Sequence, residues 1–168
     1  MRKHFLALGV ALVLSPSLVA QKIGVINSMS GPEAPIGENI TNGIKLAEED
    51  LKKKGYSTLQ LVWEDDTGKP QISMSAMEKL ATRDNVVGVV GPYTSACSNA
   101  VAKLAEKYHV PLLIPAAAKE EITRQGLKFV FRMNAPADKY ASSLIDAAVG
   151  LGKPKTIAFI YELSLIHI

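Results

Sequence analysis

The sequence predicts an α/β fold, a doubly wound parallel sheet with helices on both faces. The 168 residues are 48% hydrophobic and 21% charged, which is typical of a globular domain. After the first twenty residues, short apolar runs alternate with stretches of helical periodicity, and turn residues separate many of them. Such alternation is typical of βαβ units in a parallel sheet. The length fits one domain, or one lobe of a larger protein.

Residues 1–20 have the three zones of a secretory signal peptide. Arg2-Lys3-His4 is cationic, an apolar run extends from Phe5 to Leu14, and a short segment follows to Ala20. The run is too short to cross a bilayer core of about 30 Å as a stable helix. We therefore expect export, cleavage after Ala20, and no membrane insertion of the mature chain.

The first predicted strand covers residues 23–26 and ends in the turn-rich segment 27–32. An amphipathic helix follows, because apolar residues recur three or four positions apart at Ile36, Ile40, Ile44, Ala47 and Leu51. Lys52-Lys53-Lys54-Gly55 favours a helix end, where cations meet the negative pole of the helix.

Further strands are predicted at residues 59–63, 86–90, 110–114, 129–132 and 156–161. Pro70 lies near the start of the helix after the second strand, and the predicted inner face of that helix is Ile72, Ala76 and Leu80. The helix after the third strand carries Val101, Leu104, Ala105 and Tyr108. A short charged segment, 119–124, precedes the fifth strand, and the last helix carries Tyr140, Leu144, Ile145 and Ala148.

The candidate site lies in the loops that follow the strands, since open parallel sheets bind ligands beyond the carboxyl ends of their strands. These loops are rich in hydroxyl groups and poor in charge, and the candidates are Met29, Tyr93, Thr94, Ser95, Ala116 and Ala118. They suit a small polar ligand whose anionic group contacts free NH groups at a helix start. Thr94 and Ser95 either bind such a ligand or only cap their helix, and the residues alone leave both open.

Several function classes are disfavoured. Lys and Arg number 19 against 16 Asp and Glu, and two of those cations lie in the signal peptide, so no basic surface for nucleic acid is expected. No G-x-S-x-G, H-E-x-x-H or post-strand G-x-G-x-x-G motif occurs. His4, His109 and His167 are too scattered for a metal site. We expect no enzyme, no metal and no cofactor.

Cys97 is the single cysteine, so no internal disulfide can form, and we expect it to be buried like a small hydrophobe. The helical pattern separates it from His109 by most of a helix, which disfavours a Cys-His nucleophile. Glu64-Asp65-Asp66 is interpreted as a solvated turn and helix cap rather than a metal site.

Several segments together resemble a known family: Ile23-Gly24-Val25-Ile26-Asn27 running into Met29-Ser30-Gly31-Pro32, Glu64-Asp65-Asp66 with Pro70, Val89-Val90-Gly91-Pro92 before Ser95, and residues 110–116. Over residues 22–162 the chain resembles the periplasmic leucine/isoleucine/valine-binding proteins. The resemblance implies a periplasmic ABC importer component whose two Rossmann-like lobes close on a small-molecule ligand and serve permease subunits. It implies that residues 21–162 form the N-terminal lobe.

The resemblance also assigns site residues. In the amino-acid binders of the family, a serine at the position of Ser95 bonds the ligand carboxylate. A carbonyl at the position of Ala116 accepts from the ligand ammonium. Those binders have a threonine where this chain has Ala118, and some have an aromatic residue near Ile36. These departures favour a carboxylate, amide or aromatic acid over an α-amino acid.

Three functions stay open: a transport solute-binding protein, a ligand-sensing domain of the same family, and an exported enzyme on a similar fold. Fold alone does not choose among them. Residues 163–168, Leu163-Ser164-Leu165-Ile166-His167-Ile168, match no element of the family. They are interpreted as a truncated or artefactual terminus, with a genuine one-lobe protein as the alternative.

Overall fold

A computed structural model describes residues 21–152, 155, 156 and 158. Its centre is a five-stranded sheet in the order β2-β1-β3-β4-β5, in which all the pairings are parallel. The strands are β1 Lys22–Asn27, β2 Gln60–Asp65, β3 Gly88–Val90, β4 Leu112–Ile114 and β5 Val130–Arg132. This confirms the predicted α/β fold. The signal peptide, residues 163–168 and most of the predicted strand 156–161 lie outside the described residues.

Helices follow each strand, close to where the sequence predicts them. They are α1 Ala34–Lys53, α2 Pro70–Thr82, α3 Ser95–Tyr108, α4 Glu121–Arg124 and α5 Ala137–Gly152. The chain reverses its direction across the sheet at β1, because β2 lies on one side of it and β3 to β5 lie on the other. By the handedness of parallel crossovers, α1 then lies on the opposite face from α2 and α3.

The main core lies between the sheet and the α2–α3 pair. Its largest fully buried side chains on those helices are Met77, Leu80 and Val101. The predicted inner face of α2 was partly wrong, since Ile72 is exposed while Ser73 and Met77 are buried. The helix is rotated towards Ser73 because the Ser73 hydroxyl bonds a buried carboxylate, which the apolar periodicity does not reveal.

The opposite face of the sheet is less covered by the described residues. Gly37 is the only fully buried residue of α1, and a groove of about 430 Å³ separates part of this helix from the sheet. Ile40, Ile44 and Leu51 line that groove and are half-buried, whereas Ile36 and Ala47 of the predicted apolar face are exposed. The apolar residues of α5 are also mostly exposed, and none of its residues is buried.

Two close backbone approaches shape the carboxyl edge of the sheet. Gly91, just after β3, has φ +110°, and a Cβ there would lie 1.9 Å from the Ile26 carbonyl oxygen. A Cβ on Gly37 would lie equally close to the Ser28 carbonyl oxygen, at 1.9 Å. Glycine therefore lets the β3 loop and the start of α1 press against β1.

We expect Gly91→Ala to destabilise the fold by at least about 2 kcal/mol, because alanine strains a positive φ and its Cβ meets backbone. Chemical denaturation measures the free energy of unfolding. Gly43→Ala is the matched control, since Gly43 lies inside α1 and a Cβ there would meet no atom within 4 Å. That variant is expected to gain about 0.5–1 kcal/mol from helix propensity. Equal stability of the two variants would contradict the close approach.

Candidate functional site

The candidate residues lie along one edge of the sheet. β1, β3 and β4 are neighbours, so the loops at their carboxyl ends lie side by side. The residues of the β3 and β4 loops are half-buried: Tyr93, Thr94, Ser95, Ala116 and Ala118. Met29, after β1, is exposed, and so is Ile36 on the first turn of α1.

Two adjacent hydroxyl groups have different partners. Thr94 is the N-cap of α3, and its Oγ1 accepts a hydrogen bond from the Cys97 backbone N–H at 3.2 Å. The Ser95 Oγ instead accepts a long bond, 3.4 Å, from the backbone N–H of Lys119. Thr94 therefore supplies the side-chain cap, and the hydroxyl proton of Ser95 is available for donation. The N–H groups of Ser95 and Ala96 have no partner within the helix, because helix geometry leaves the first turn unpaired.

The loop after β4 is bonded to the segment after β5. Asn134 Nδ2 donates to the Ala116 carbonyl oxygen at 2.7 Å, and Arg132 Nη1 donates to that of Lys119 at 2.7 Å. The predicted acceptor at Ala116 thus accepts one hydrogen bond from Asn134 and keeps a second lone pair. Sequence reasoning missed Asn134, although it follows a strand end and the rule that selected the other loops points to it as well.

Asp65 ties the β1 loop to the end of β2. Its Oδ1 accepts from the backbone N–H groups of Met29, Ser30 and Thr67 at 2.9, 3.3 and 2.9 Å, and its Oδ2 accepts from the Ser30 hydroxyl at 2.6 Å. Burial acts to raise the pKa of Asp65, but these hydrogen bonds outweigh it and lower the pKa. The carboxylate therefore positions Met29.

Asp66 is fully buried, which corrects the interpretation of Glu64-Asp65-Asp66 as a solvated turn. Its carboxylate accepts from the Ser28 hydroxyl at 2.7 Å, the Gly68 N–H at 2.9 Å and the Ser73 hydroxyl at 2.9 Å. Three donors satisfy a charge that would otherwise be costly to bury. The run of three acidic residues suggested a surface position, because the sequence pattern does not reveal the bond from Ser28, which is 38 residues away.

Cys97 is buried, as predicted. Burial raises the pKa of its thiol, and nearby Asp66 acts in the same direction, so the sulfur stays protonated at neutral pH. His109 is the C-cap of α3, at the far end of the helix, and its ring stacks edge-on against Phe129. This arrangement does not support a Cys-His nucleophile.

A cavity of about 410 Å³ adjoins the β1 loop and is lined by Met29, Ala34, Pro35, Glu38 and Thr41. Its lining includes no residue of the β3 or β4 loop, nor Ile36, so the structure does not gather all the predicted residues into this cavity. In the described part of the chain, no three His, Cys, Asp or Glu side chains are grouped to hold a metal ion. Within the same residues, no helix is long and apolar enough to cross a membrane.

The fold is that of one lobe of a type I periplasmic binding protein. The family model of periplasmic binding proteins matches residues 20–164, and the chain belongs to this family. It is 31% identical over 176 residues to the Leu/Ile/Val-binding protein homolog 7 of Brucella suis biovar 1 (strain 1330). That alignment covers 96% of this chain and 44% of the relative, so the chain spans less than half of that relative's length.

Two solved structures have the same fold. One is the branched-chain amino acid transporter substrate binding protein LivJ from Streptococcus pneumoniae in complex with isoleucine, with TM-score 0.67, 28% identity, and coverage of 70% of this chain and 34% of that one. The other is an ABC transporter solute binding protein from R. palustris in complex with 4-hydroxybenzoate, with TM-score 0.68, 29% identity, and coverage of 79% and 36%.

We expect Asp65→Asn to destabilise the protein near neutral pH and to lose this effect in acid. The folded pKa of Asp65 is lowered, so its contribution is complete above the unfolded pKa of about 3.9 and is lost as pH falls through the folded pKa. Thermal midpoints of both proteins between pH 7 and pH 2 measure this. Asp50→Asn, at an exposed pair with Lys53, is the matched control. A difference between the wild type and Asp65→Asn that does not shrink in acid would refute the assignment.

Proposed function

We propose that this chain forms one wall of the ligand cleft in a periplasmic solute-binding component of an ABC importer. The signal peptide directs export, and residues 21–162 are the N-terminal lobe. A second lobe supplies the opposite wall, and the loaded protein passes its solute to permease subunits. The proposal agrees with a chain that covers 44% of its relative's length.

The proposal rests on the different hydrogen-bond roles of the Thr94 and Ser95 hydroxyl groups. Thr94 caps α3, so the Ser95 hydroxyl is not needed for that purpose. Its proton and the first N–H groups of α3 form a set of donors at the carboxyl edge of the sheet. The positive end of the helix dipole adds to their attraction for an anion.

A carboxylate is the anionic group that these donors fit best. Isoleucine and 4-hydroxybenzoate, the ligands in the two similar structures, are chemically different, but both have a carboxylate. We therefore propose a small carboxylate-bearing solute, a branched-chain amino acid or a related acid, with Ser95 as the side-chain donor. Tyr93, Met29 and Ile36 flank this edge and are proposed to shape the rest of the wall.

Binding without catalysis is the proposed role. The thiol of Cys97 is buried and protonated, and His109 lies at the other end of α3. The carboxylates Asp65 and Asp66 are occupied by hydrogen bonds from loop and helix residues. The two carboxylates stabilise the loops of this edge.

In the full-length protein, Ser95→Ala is expected to weaken ligand affinity by roughly ten- to a hundredfold. A hydrogen bond to a charged group contributes about 1.5–3 kcal/mol, and every 1.4 kcal/mol is about tenfold in affinity. Isothermal titration calorimetry with leucine and with 4-hydroxybenzoate measures the loss, and the thermal midpoint is recorded on the same sample.

Thr94→Ala is the matched control. Loss of an N-cap costs about 1 kcal/mol of stability, so this variant should melt earlier and lose less affinity than Ser95→Ala. Unchanged affinity of Ser95→Ala for a ligand that the wild type binds would overturn the role of Ser95. Absence of binding to any small carboxylate by the wild type would overturn the proposed function itself.

A further inference from the structure

We infer that Asn134 is a positioning residue that couples ligand contact at the β4 loop, residues 115–119, to the orientation of α5. The inference rests on the proposed function, because it needs a ligand that binds at the carboxyl edge. It goes beyond that function by naming the bonds through which this wall of the cleft reaches the chain that follows β5. Those bonds come from residues 132–137, which we call the strap.

Four hydrogen bonds of the described chain join the strap to the end of β4 and the β4 loop. All four acceptors are backbone carbonyl oxygens of residues 114–119, so a displacement of the loop displaces the strap with it. The pairs are the Met133 N–H with Ile114 at 3.0 Å, Asn134 Nδ2 with Ala116 at 2.7 Å, the Ala137 N–H with Ala118 at 3.0 Å, and Arg132 Nη1 with Lys119 at 2.7 Å.

Within the described residues, α5 is held to the rest of the chain at its first turn. One attachment is the Ala137 N–H bond to the β4 loop, and the other is the ion pair of Asp138 with Arg124 at 3.1 Å. None of the residues of α5 is buried, and Leu144 and Ile145 are 71% and 60% exposed. The strap therefore sets the direction in which this helix leaves the sheet.

The Asn134 amide is only partly satisfied. Its Nδ2 donates to Ala116, while its Oδ1 is buried and has no partner among the described residues. A buried oxygen without a donor costs free energy. An apolar side chain would avoid that cost, but it would leave the Ala116 carbonyl without its side-chain bond to the strap. The amide at this position therefore serves the bond to Ala116.

The proposed ligand contacts act on the same loop. The Ala116 carbonyl keeps one lone pair beyond the one that Asn134 uses, and Ser95 Oγ accepts from the Lys119 N–H. A ligand at Ser95 or Ala116 therefore contacts groups that are bonded to the strap or to its partner loop. Because coupling between two sites is reciprocal, a ligand that moves the strap also binds with an affinity that depends on the position of the strap.

The test measures a distance across the strap in the full-length protein. Spin labels on Lys103→Cys in α3 and Asp146→Cys in α5, both exposed positions, report the separation of the two helices by double electron–electron resonance. Cys97 is buried and should stay unlabelled. Saturating leucine or 4-hydroxybenzoate, whichever binds in calorimetry, is expected to shift the distance distribution.

Asn134→Ala should lower the ratio of shifted to unshifted distances at saturating ligand by about three- to tenfold, the size of one hydrogen bond. Arg132→Met removes the other side-chain bond of the strap and should change the ratio in the same direction. Gln125→Ala, which removes an exposed amide bonded to Asn99, is the matched control and should leave the ratio unchanged. Thermal midpoints identify a variant that misfolds.

Three outcomes overturn the inference and leave the proposed function standing. They are a bound ligand that causes no shift in the wild type, an unchanged ratio in the folded strap variants, and an equal change in the control. A lowered thermal midpoint with an unchanged ratio assigns Asn134 to stability alone. If the wild type binds no small carboxylate, the proposed function and the inference fail together.

Discussion

The buried carboxylate of Asp66 is the interaction on which the carboxyl edge depends. It bonds Gly68 and Ser73 in its own β2–α2 connection and Ser28 in the β1 loop, which is 38 residues away, and so joins these two parts of the chain. The rotation of α2 towards this group sets the face that packs on α3, the helix that carries Ser95 at its start. An isolated carboxylate would be costly to bury, but the Asp66 carboxylate stabilises this edge because both of its oxygens accept hydrogen bonds.

Much of the fold follows from local pattern. Alternating apolar runs and amphipathic stretches predicted the five described strands and the helices between them, since burial on a parallel sheet imposes those periods. The rule that ligands bind at the carboxyl ends of parallel strands selected the loops containing Ser95 and Ala116. The residues that hold those loops were harder to predict. Asp66 was placed at the surface because its hydrogen bond from Ser28, 38 residues away, leaves no periodic signal. Asn134 was overlooked although it follows the end of β5.

Two neighbouring hydroxyl groups at the carboxyl edge have different hydrogen-bond roles. Thr94 and Ser95 are adjacent and chemically alike, yet one oxygen caps a helix and the other leaves a proton free. On the β4 side, Asn134 stabilises the loop by donating a hydrogen bond to the Ala116 carbonyl oxygen.

The most direct measurement of the central claim is the location of ligand contact by NMR on the ¹⁵N-labelled full-length protein. Titration with the best-binding carboxylate is expected to shift the backbone amide signals of residues 93–96 and 116–119 most among those of this lobe. Amides at the amino ends of the strands, such as those of Val87 and Gly88, should stay in place. Shifts concentrated at that opposite edge or in the α1 groove, with the 93–96 signals unmoved, would contradict the account.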